Sequence, residues 1–307
     1  MRSRDFLTLE ETSREELREV LDLARDVSDG RLASPLAGKT VCLAFFEAST
    51  RTAVSFELAA RRSGADVISL SENGSAISKG ESLVDTVVTL DSLGADTLVL
   101  RHPAAGAAKL AARHARAAVV NAGDGRGQHP TQALLDLYAL SEAFGGLDEL
   151  SGRRVAIAGD VLHSRVARSV IPALRTAGME VALTAPRTLL PLETDVWDLP
   201  VLPSVDAALE WGAEVLYMLR LQNERMTGGS PLVSSVAEYA AYYGVARRHL
   251  RRGVRVMHPG PVNRGVEISG DVVLDERSLI PNQVAAGIAV RSAVLALATG
   301  VAHEVAA

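Results

Sequence analysis

The residues of this 307-residue chain that could do chemistry stand where short apolar runs end. The run 40–46 gives way to Ser49, Thr50, Arg51 and Thr52, in the segment FFEASTRT, and a helical pattern begins there. Ser and Thr are good helix N-caps, so plain capping is one reading. Four hydroxyl or guanidinium side chains nevertheless exceed what a cap requires. Free backbone N–H groups and the positive end of a helix dipole make an anion site, and Arg51 would add a fork suited to phosphate. The site is not a Walker loop, because no GxxxxGK[ST] occurs, and GDGRGQ at 123–128 fits no GxGxxG register.

Three histidines precede proline at or just past apolar runs: His102 in RHP, His129 in GQHPTQ and His258 in MHPGP. Proline holds the preceding residue extended and fixes where its side chain points. Any one such histidine reads most simply as structural; three at equivalent positions make that reading less comfortable. None has the spacing of a zinc ligand set. Arginines recur at the same places, Arg51, Arg101, Arg165 and Arg220, which implies a ligand set with several negative charges. Arg247, Arg248, Arg251 and Arg252, in VARRHLRRG, read instead as an exposed basic helix end. Two Gly- and Ser-rich loops, SENGSAISKGES at 71–82 and LQNERMTGGSP at 221–231, are long enough to act as lids. The first holds Lys79, one of only three lysines (with Lys39 and Lys109) among 32 basic residues. A GC-rich genome is the plain explanation for that imbalance.

These positions need strands that all end on one side. Strand-like runs fall at 40–46, 66–70, 97–101, 117–121, 154–158, 180–184, 214–219 and 254–258. Helical patterns fall between them at 52–63, 81–93, 105–115, 131–144, 165–177, 205–211, 234–243 and 284–299. Continuous apolar runs alternating with helices indicate parallel sheets covered on both faces. A single eight-stranded barrel is the alternative. The long helix from Thr131 and the polar, Gly-containing stretch after it favour a boundary between two four-stranded units. The expected fold is therefore α/β: two doubly wound parallel-sheet domains joined by a long helix, with the active site in the cleft between them.

Composition narrows the class. Hydrophobic residues make up 48% and charged ones 22%, as in ordinary globular domains. The net charge of −5 gives no global attraction for nucleic acid or an anionic membrane. A single cysteine, Cys42, in the apolar VCLAFF, reads as a core residue in a reducing compartment. The N-terminus lacks the apolar stretch of a signal peptide, and the most apolar segment is interrupted by Arg291, so a cytoplasmic protein is expected.

With STRT, RHP, GDGxxQHPTQxLLD, YMLRxQxER and HPGPxNRGVEI in order from about Arg4 to Gly300, the chain resembles the aspartate carbamoyltransferase family, catalytic chain. STRT and HPTQ alone would indicate only a carbamoyltransferase; RLQNER and HPGPVNRGVEI point to aspartate rather than ornithine. Ornithine enzymes typically carry a cysteine in an HCLP segment near this region, and Cys42 is the only cysteine here. The resemblance implies transfer of a carbamoyl group from carbamoyl phosphate to L-aspartate, the committed step of pyrimidine synthesis, with no metal or organic cofactor. It implies that residues 1–136 and the C-terminal helix 284–307 bind carbamoyl phosphate and that 137–283 bind aspartate. By the same resemblance, Ser49, Thr50, Arg51 and Thr52 hold the phosphate. Arg101, His129 and Gln132 contact the carbamoyl group, and Pro259 and Gly260 offer it backbone carbonyls. Arg165, Arg220 and Gln222 receive the aspartate carboxylates. Thr52, Arg101 and His129 are the implied catalytic donors, while Ser75 and Lys79 enter a neighbouring subunit's site within a homotrimer. A regulatory chain or dihydroorotase is a possible further partner. Two departures from the family pattern are Ala53, where a basic residue often follows STRT, and Gly260, where some members have Leu. Rival readings are a carbamoyltransferase with another amine acceptor, an inactive scaffold homologue that has lost its ligands, and a generic nucleotide-binding α/β protein.

Overall fold

The computed structural model describes residues 5–71, 81–191, 197–222, 235–251 and 253–301. The chain divides into two compact units, Met1–Tyr138 with Arg168–Ala173 and Ala285–Ala307, and Ala139–Ala167 with Leu174–Val284.

In the first unit, β1 (Thr40–Phe45), β2 (Asp66–Ser71), β3 (Thr97–His102) and β4 (Ala118–Asp124) form a parallel sheet in the order β2-β1-β3-β4. Its helices are α1 (Arg14–Ser28), α2 (Thr50–Arg62), α3 (Leu83–Ser92) and α4 (Ala107–His114). The helix α5 (Pro130–Phe144) carries the chain from the first unit into the second. In the second unit, β5 (Arg154–Ala158), β6 (Glu180–Thr184), β7 (Val201–Leu202), β8 (Val215–Met218) and β9 (Arg255–Met257) are also all parallel. Their order is β7-β6-β5-β8-β9, with α6 (Arg165–Thr176), α7 (Val205–Glu210) and α8 (Val236–Tyr243) between strands. The last helix, α9 (Ile280–Ala298), begins in the second unit and ends in the first.

The strands form because their apolar runs can be buried on both faces. All but the first residue of β1 and every residue of β4 are buried. Separate apolar clusters fill the units: Cys42, Ala44, Leu98, Leu100 and Val119 anchor one, and Leu216, Met218, Val256 and Ile268 anchor the other. Helix α9 has the length and apolar character of a membrane span, but 67% of that window is buried in the structure, the pattern of a core helix. Burial also accounts for Cys42, whose thiol is pushed up to about 11 by loss of solvent.

Parallel pairing places every strand's carboxyl end on one edge of its sheet. The chain winds outward in both directions from β1 and from β5, so the strand order reverses between β1 and β3 and again between β5 and β8. Diverging connections leave a crevice at such a switch point, where open α/β sheets bind ligands.

Three expectations need correcting. The second sheet has five strands rather than four, because Val201–Leu202 adds β7. This strand is two residues long and flanked by Pro200 and Pro203, too short to show a period. Helix α1 was also absent from the expected elements. Its signal is present: Leu17, Val20, Leu21 and Ala24 are buried at helical spacing, and Ser13 and Glu16 form a capping box. That apolar stripe is diluted by charged residues on every other side. Finally, α2 begins at Thr50 rather than residue 52, which puts Thr50, Arg51 and Thr52 in its first turn.

Ile157, fully buried in β5 at the centre of the second sheet, tests this packing. Ile157→Ala should destabilise the fold by about 2–5 kcal/mol, read as a lowered denaturant midpoint. Leu274→Ala, at a position 77% exposed, should shift it by less than about 0.5 kcal/mol.

Candidate active site

Ser49 is the N-cap of α2, yet its side chain makes no capping hydrogen bond. The contrast within the molecule is sharp. Ser13, Ser82, Ser204 and Ser235 cap α1, α3, α7 and α8, and each accepts a hydrogen bond from the backbone of its own helix. Those four helices also carry Asp or Glu in the first turn, whereas α2 carries none and has Arg51 instead. An uncapped, acid-free helix start keeps its N–H groups and dipole for an incoming anion. Capping is therefore not what Ser49 does here. Arg51 and Thr50 are exposed, while Thr52 turns inward and is buried.

Arg101 lies beside this helix start because β1 and β3 are neighbours. Phe45 pairs with Arg101 in register, and the Phe46 N–H donates to the Arg101 carbonyl at 2.8 Å. The Arg101 side chain is only 7% exposed. Its Nη1 donates to the Ala122 carbonyl (3.0 Å) and its Nη2 to Glu47 Oε1 (2.8 Å). The strand-end arginine is thus held by two acceptors, one from β4 and one from the loop leading to α2. Sequence reasoning missed Glu47, although it stands two residues before Ser49 in FFEAST.

His129 and Gln132 enter from the next strand's exit. The loop between β4 and α5 folds around Asp124, whose carboxylate accepts the N–H groups of Gly106 (2.7 Å) and Gln128 (2.6 Å). A Cβ on Gly127 would stand 2.6 Å from Asp124 Oδ1, so glycine is required there. The glycines of GDGRGQ shape this turn. His129 is buried and its N–H donates to Ser169 Oγ (2.7 Å), which donates to Gln128 Oε1 (2.6 Å). Gln132 Nε2 donates to the fully buried Asp136 (2.9 Å). Arg291 of α9 lies behind, donating to Ser55 Oγ of α2 (2.6 Å) with its guanidinium over the Phe56 ring at 5.1 Å. Burial lowers the Arg291 pKa to about 10, against the opposing pull of Asp136.

In the second unit, Arg165 opens α6 after β5, and Arg220 and Gln222 follow β8. The exits of β5 and β8 approach closely: a Cβ on Gly159 would stand 2.6 Å from the Leu219 carbonyl oxygen. Asp160, fully buried, accepts from His163 Nδ1 (2.9 Å) and from the Gln222 N–H (3.3 Å). Beyond β9, His258 Nδ1 accepts the Gly260 N–H (2.7 Å), and the Gly260–Pro261 peptide is cis. This turn presents the Pro259 and Gly260 backbone. His258 is therefore a turn-holding residue, as is His102, whose Nδ1 accepts the Ala104 N–H (3.0 Å). Burial depresses the His102 pKa, which keeps the ring an acceptor. Ser75 and Lys79 lie outside the described residues. Among the described residues, no cluster of three or more His, Cys, Asp or Glu is arranged to hold a metal.

The carbamoyl-phosphate-binding domain model of aspartate/ornithine carbamoyltransferases matches residues 4–142, and the Asp/Orn-binding domain model matches 151–298. The chain belongs to the aspartate/ornithine carbamoyltransferase family. Within that family it is 78% identical over 307 residues to the aspartate carbamoyltransferase catalytic subunit of Rubrobacter xylanophilus, covering all of both chains. It is similar in fold to Trypanosoma cruzi aspartate transcarbamoylase in complex with carbamoyl aspartate and phosphate (TM-score 0.83, 31% identity, 96% of each chain). The ornithine carbamoyltransferase of Thermus thermophilus matches almost as well in shape, with a TM-score of 0.82 at 26% identity over 96% of this chain and 98% of that one. Backbone shape within the carbamoyltransferase family therefore does not discriminate the amine acceptor.

If the start of α2 is an anion site, Arg51→Ala should weaken binding of inorganic phosphate by about tenfold or more in calorimetry. Because Arg51 is exposed, the unfolding free energy should stay within about 0.5 kcal/mol of the parent.

Proposed function

We propose that the chain is an aspartate carbamoyltransferase, transferring the carbamoyl group of carbamoyl phosphate to the amine of L-aspartate to give N-carbamoyl-L-aspartate and phosphate. The observation that carries this reading is the uncapped, acid-free start of α2 beside the doubly held Arg101, in a chain 78% identical to an aspartate carbamoyltransferase. The first unit, with Ser49, Thr50, Arg51 and Thr52, takes the phosphate; Arg101, His129 and Gln132 take the carbamoyl group. The second unit supplies Arg165, Arg220 and Gln222 for the aspartate carboxylates, with the Pro259 and Gly260 carbonyls for the carbamoyl NH2.

In this mechanism the deprotonated amine of aspartate attacks the carbonyl carbon, and the carbonyl oxygen becomes an oxyanion. Thr52, Arg101 and His129 donate to it; one such donor is worth about 10²–10³ in rate. The C–O bond to phosphate then breaks, and charge develops on the leaving group. The N-terminus of α2 and Arg51 stabilise that charge more than they stabilise the bound substrate. No side chain is assigned as general base, and the departing phosphate accepts the amine proton. Positioning two anionic substrates against their mutual repulsion supplies the remaining acceleration. None of these steps calls for a metal or an organic cofactor. The reaction is the committed step of pyrimidine synthesis, and a cytoplasmic enzyme suits it. A homotrimer in which Ser75 and Lys79 reach a neighbour's site is part of the proposal, as is possible association with a regulatory chain or dihydroorotase.

Assaying carbamoyl phosphate with aspartate and with ornithine tests the acceptor. Product should form with aspartate alone; turnover of ornithine without aspartate turnover would reverse the assignment. Sharing of sites is tested by mixing inactive Lys79→Ala and Arg51→Ala chains under conditions that exchange subunits. Activity should return in the hybrids, and its absence after exchange confirmed by native mass spectrometry would refute sharing.

A further inference from the structure

Glu267 belongs to neither substrate's expected ligand set, yet it is 0% exposed and makes three hydrogen bonds to the loops that carry those ligands. Its Oε1 accepts the Leu221 N–H and Asn263 Nδ2, both at 2.8 Å, and its Oε2 accepts the Asn263 N–H at 2.8 Å. Leu221 lies between Arg220 and Gln222 on the exit of β8. Asn263 lies just past the Pro259–Pro261 turn on the exit of β9. We propose that Glu267 is the positioning residue of the aspartate site, a buried anion that holds the Arg220–Gln222 segment and the Pro259–Gly260 turn in one fixed relation.

Three features support this. The backbone that carries the carboxylate is anchored: the Val245 N–H donates to the Glu267 main-chain carbonyl, and the Ser269 N–H donates to the Val245 carbonyl, each at 2.8 Å. All three partners of the side chain are donors, so only an acceptor-only group satisfies them; a carboxylate is one and an amide is not. No cation is paired with Glu267 among the described residues, and burial pushes its pKa up against the pull of its donors. An anion kept at that cost, for two backbone N–H groups and one side-chain amide, is spent on geometry. Along the segment it grips, burial alternates: Leu219 and Leu221 are buried, while Arg220 and Gln222 are half-buried. Fixing the Leu221 amide therefore constrains the backbone from which the two neighbouring, half-buried side chains leave.

The kinetic part of this inference rests on the proposed carbamoyl transfer; its structural part does not. Glu267→Gln is compared with the parent by hydrogen exchange, by the KM for aspartate and by calorimetric affinity for inorganic phosphate. Exchange in peptides covering Leu219–Gln222 and His258–Asn263 should accelerate about tenfold or more. The aspartate KM should rise by about ten- to hundredfold while phosphate affinity stays within about twofold. Should Glu267→Gln fail to fold, Asn263→Asp turns one donor into a second carboxylate facing Oε1, and the same changes are expected of it. A folded variant of either kind with lowered thermal stability but unchanged exchange and unchanged aspartate KM overturns the proposal. A parent that forms no carbamoyl aspartate, while the variant still exchanges faster, instead overturns the proposed reaction and leaves the positioning role standing.

Discussion

Parallel strand pairing brings the end of every strand in a sheet to a single edge, and nearly all the chemistry of this protein depends on that alignment. Residues far apart in the chain become neighbours because their strands are. Arg101 comes to stand over the start of α2 through the register of β1 with β3. Arg165 and Arg220 flank one reversal of strand order through the pairing of β5 with β8. At such an edge the exposed backbone groups are helix N–H donors, and anionic substrates are what they suit.

The donors are useful only if nothing internal consumes them. Among the described residues, α1, α3, α7 and α8 have serine caps and acidic first turns, whereas α2 and α4 have neither, and of those two only α2 has an arginine in its first turn. Leaving a cap unmade costs about 1 kcal/mol of stability, less than the roughly 1.5–3 kcal/mol of a hydrogen bond to a charged group. The net charge of −5 includes several carboxylates that are engaged by donors of the fold. Glu47 grips Arg101, Asp136 grips Gln132, Asp124 gathers the loop before His129, and Asp160 and Glu267 hold the exit of β8. Each is an acceptor that orders donors.

Much of this was legible in the chain. Continuous apolar runs alternating with helical periods identify parallel sheets, since strands covered on both faces need no polar alternation. Ser49, Thr50, Arg51, Thr52, Arg101 and His129 stand at run ends, where an N-cap or a solvated face explains them poorly. The holding residues were not legible. Glu47, Asp136 and Glu267 look like ordinary surface acids until packing shows Asp136 and Glu267 buried and Glu47 half-buried against Arg101, because burial belongs to the neighbours and not to the residue. The His-Pro pattern misled in part: three similar dipeptides serve different ends, with His102 and His258 accepting backbone N–H groups two residues on. A dipeptide fixes a backbone direction and leaves the partner of the ring open.

Residue types and local spacing by themselves determined the element alternation and the family resemblance, because these depend on interactions within a few residues or on motif order. The backbone shape could not separate aspartate from ornithine as acceptor, since a family member of either kind overlays almost equally well. Tertiary structure alone decided that Ser49 does not cap its helix, that Arg101 is held by Glu47 and Ala122, and that Glu267 ties two loops together. The partners of Arg101 lie 21 and 54 positions away in the chain, and Glu267 reaches Leu221 across 46. Contacts at that range exist only once the sheets have set the register.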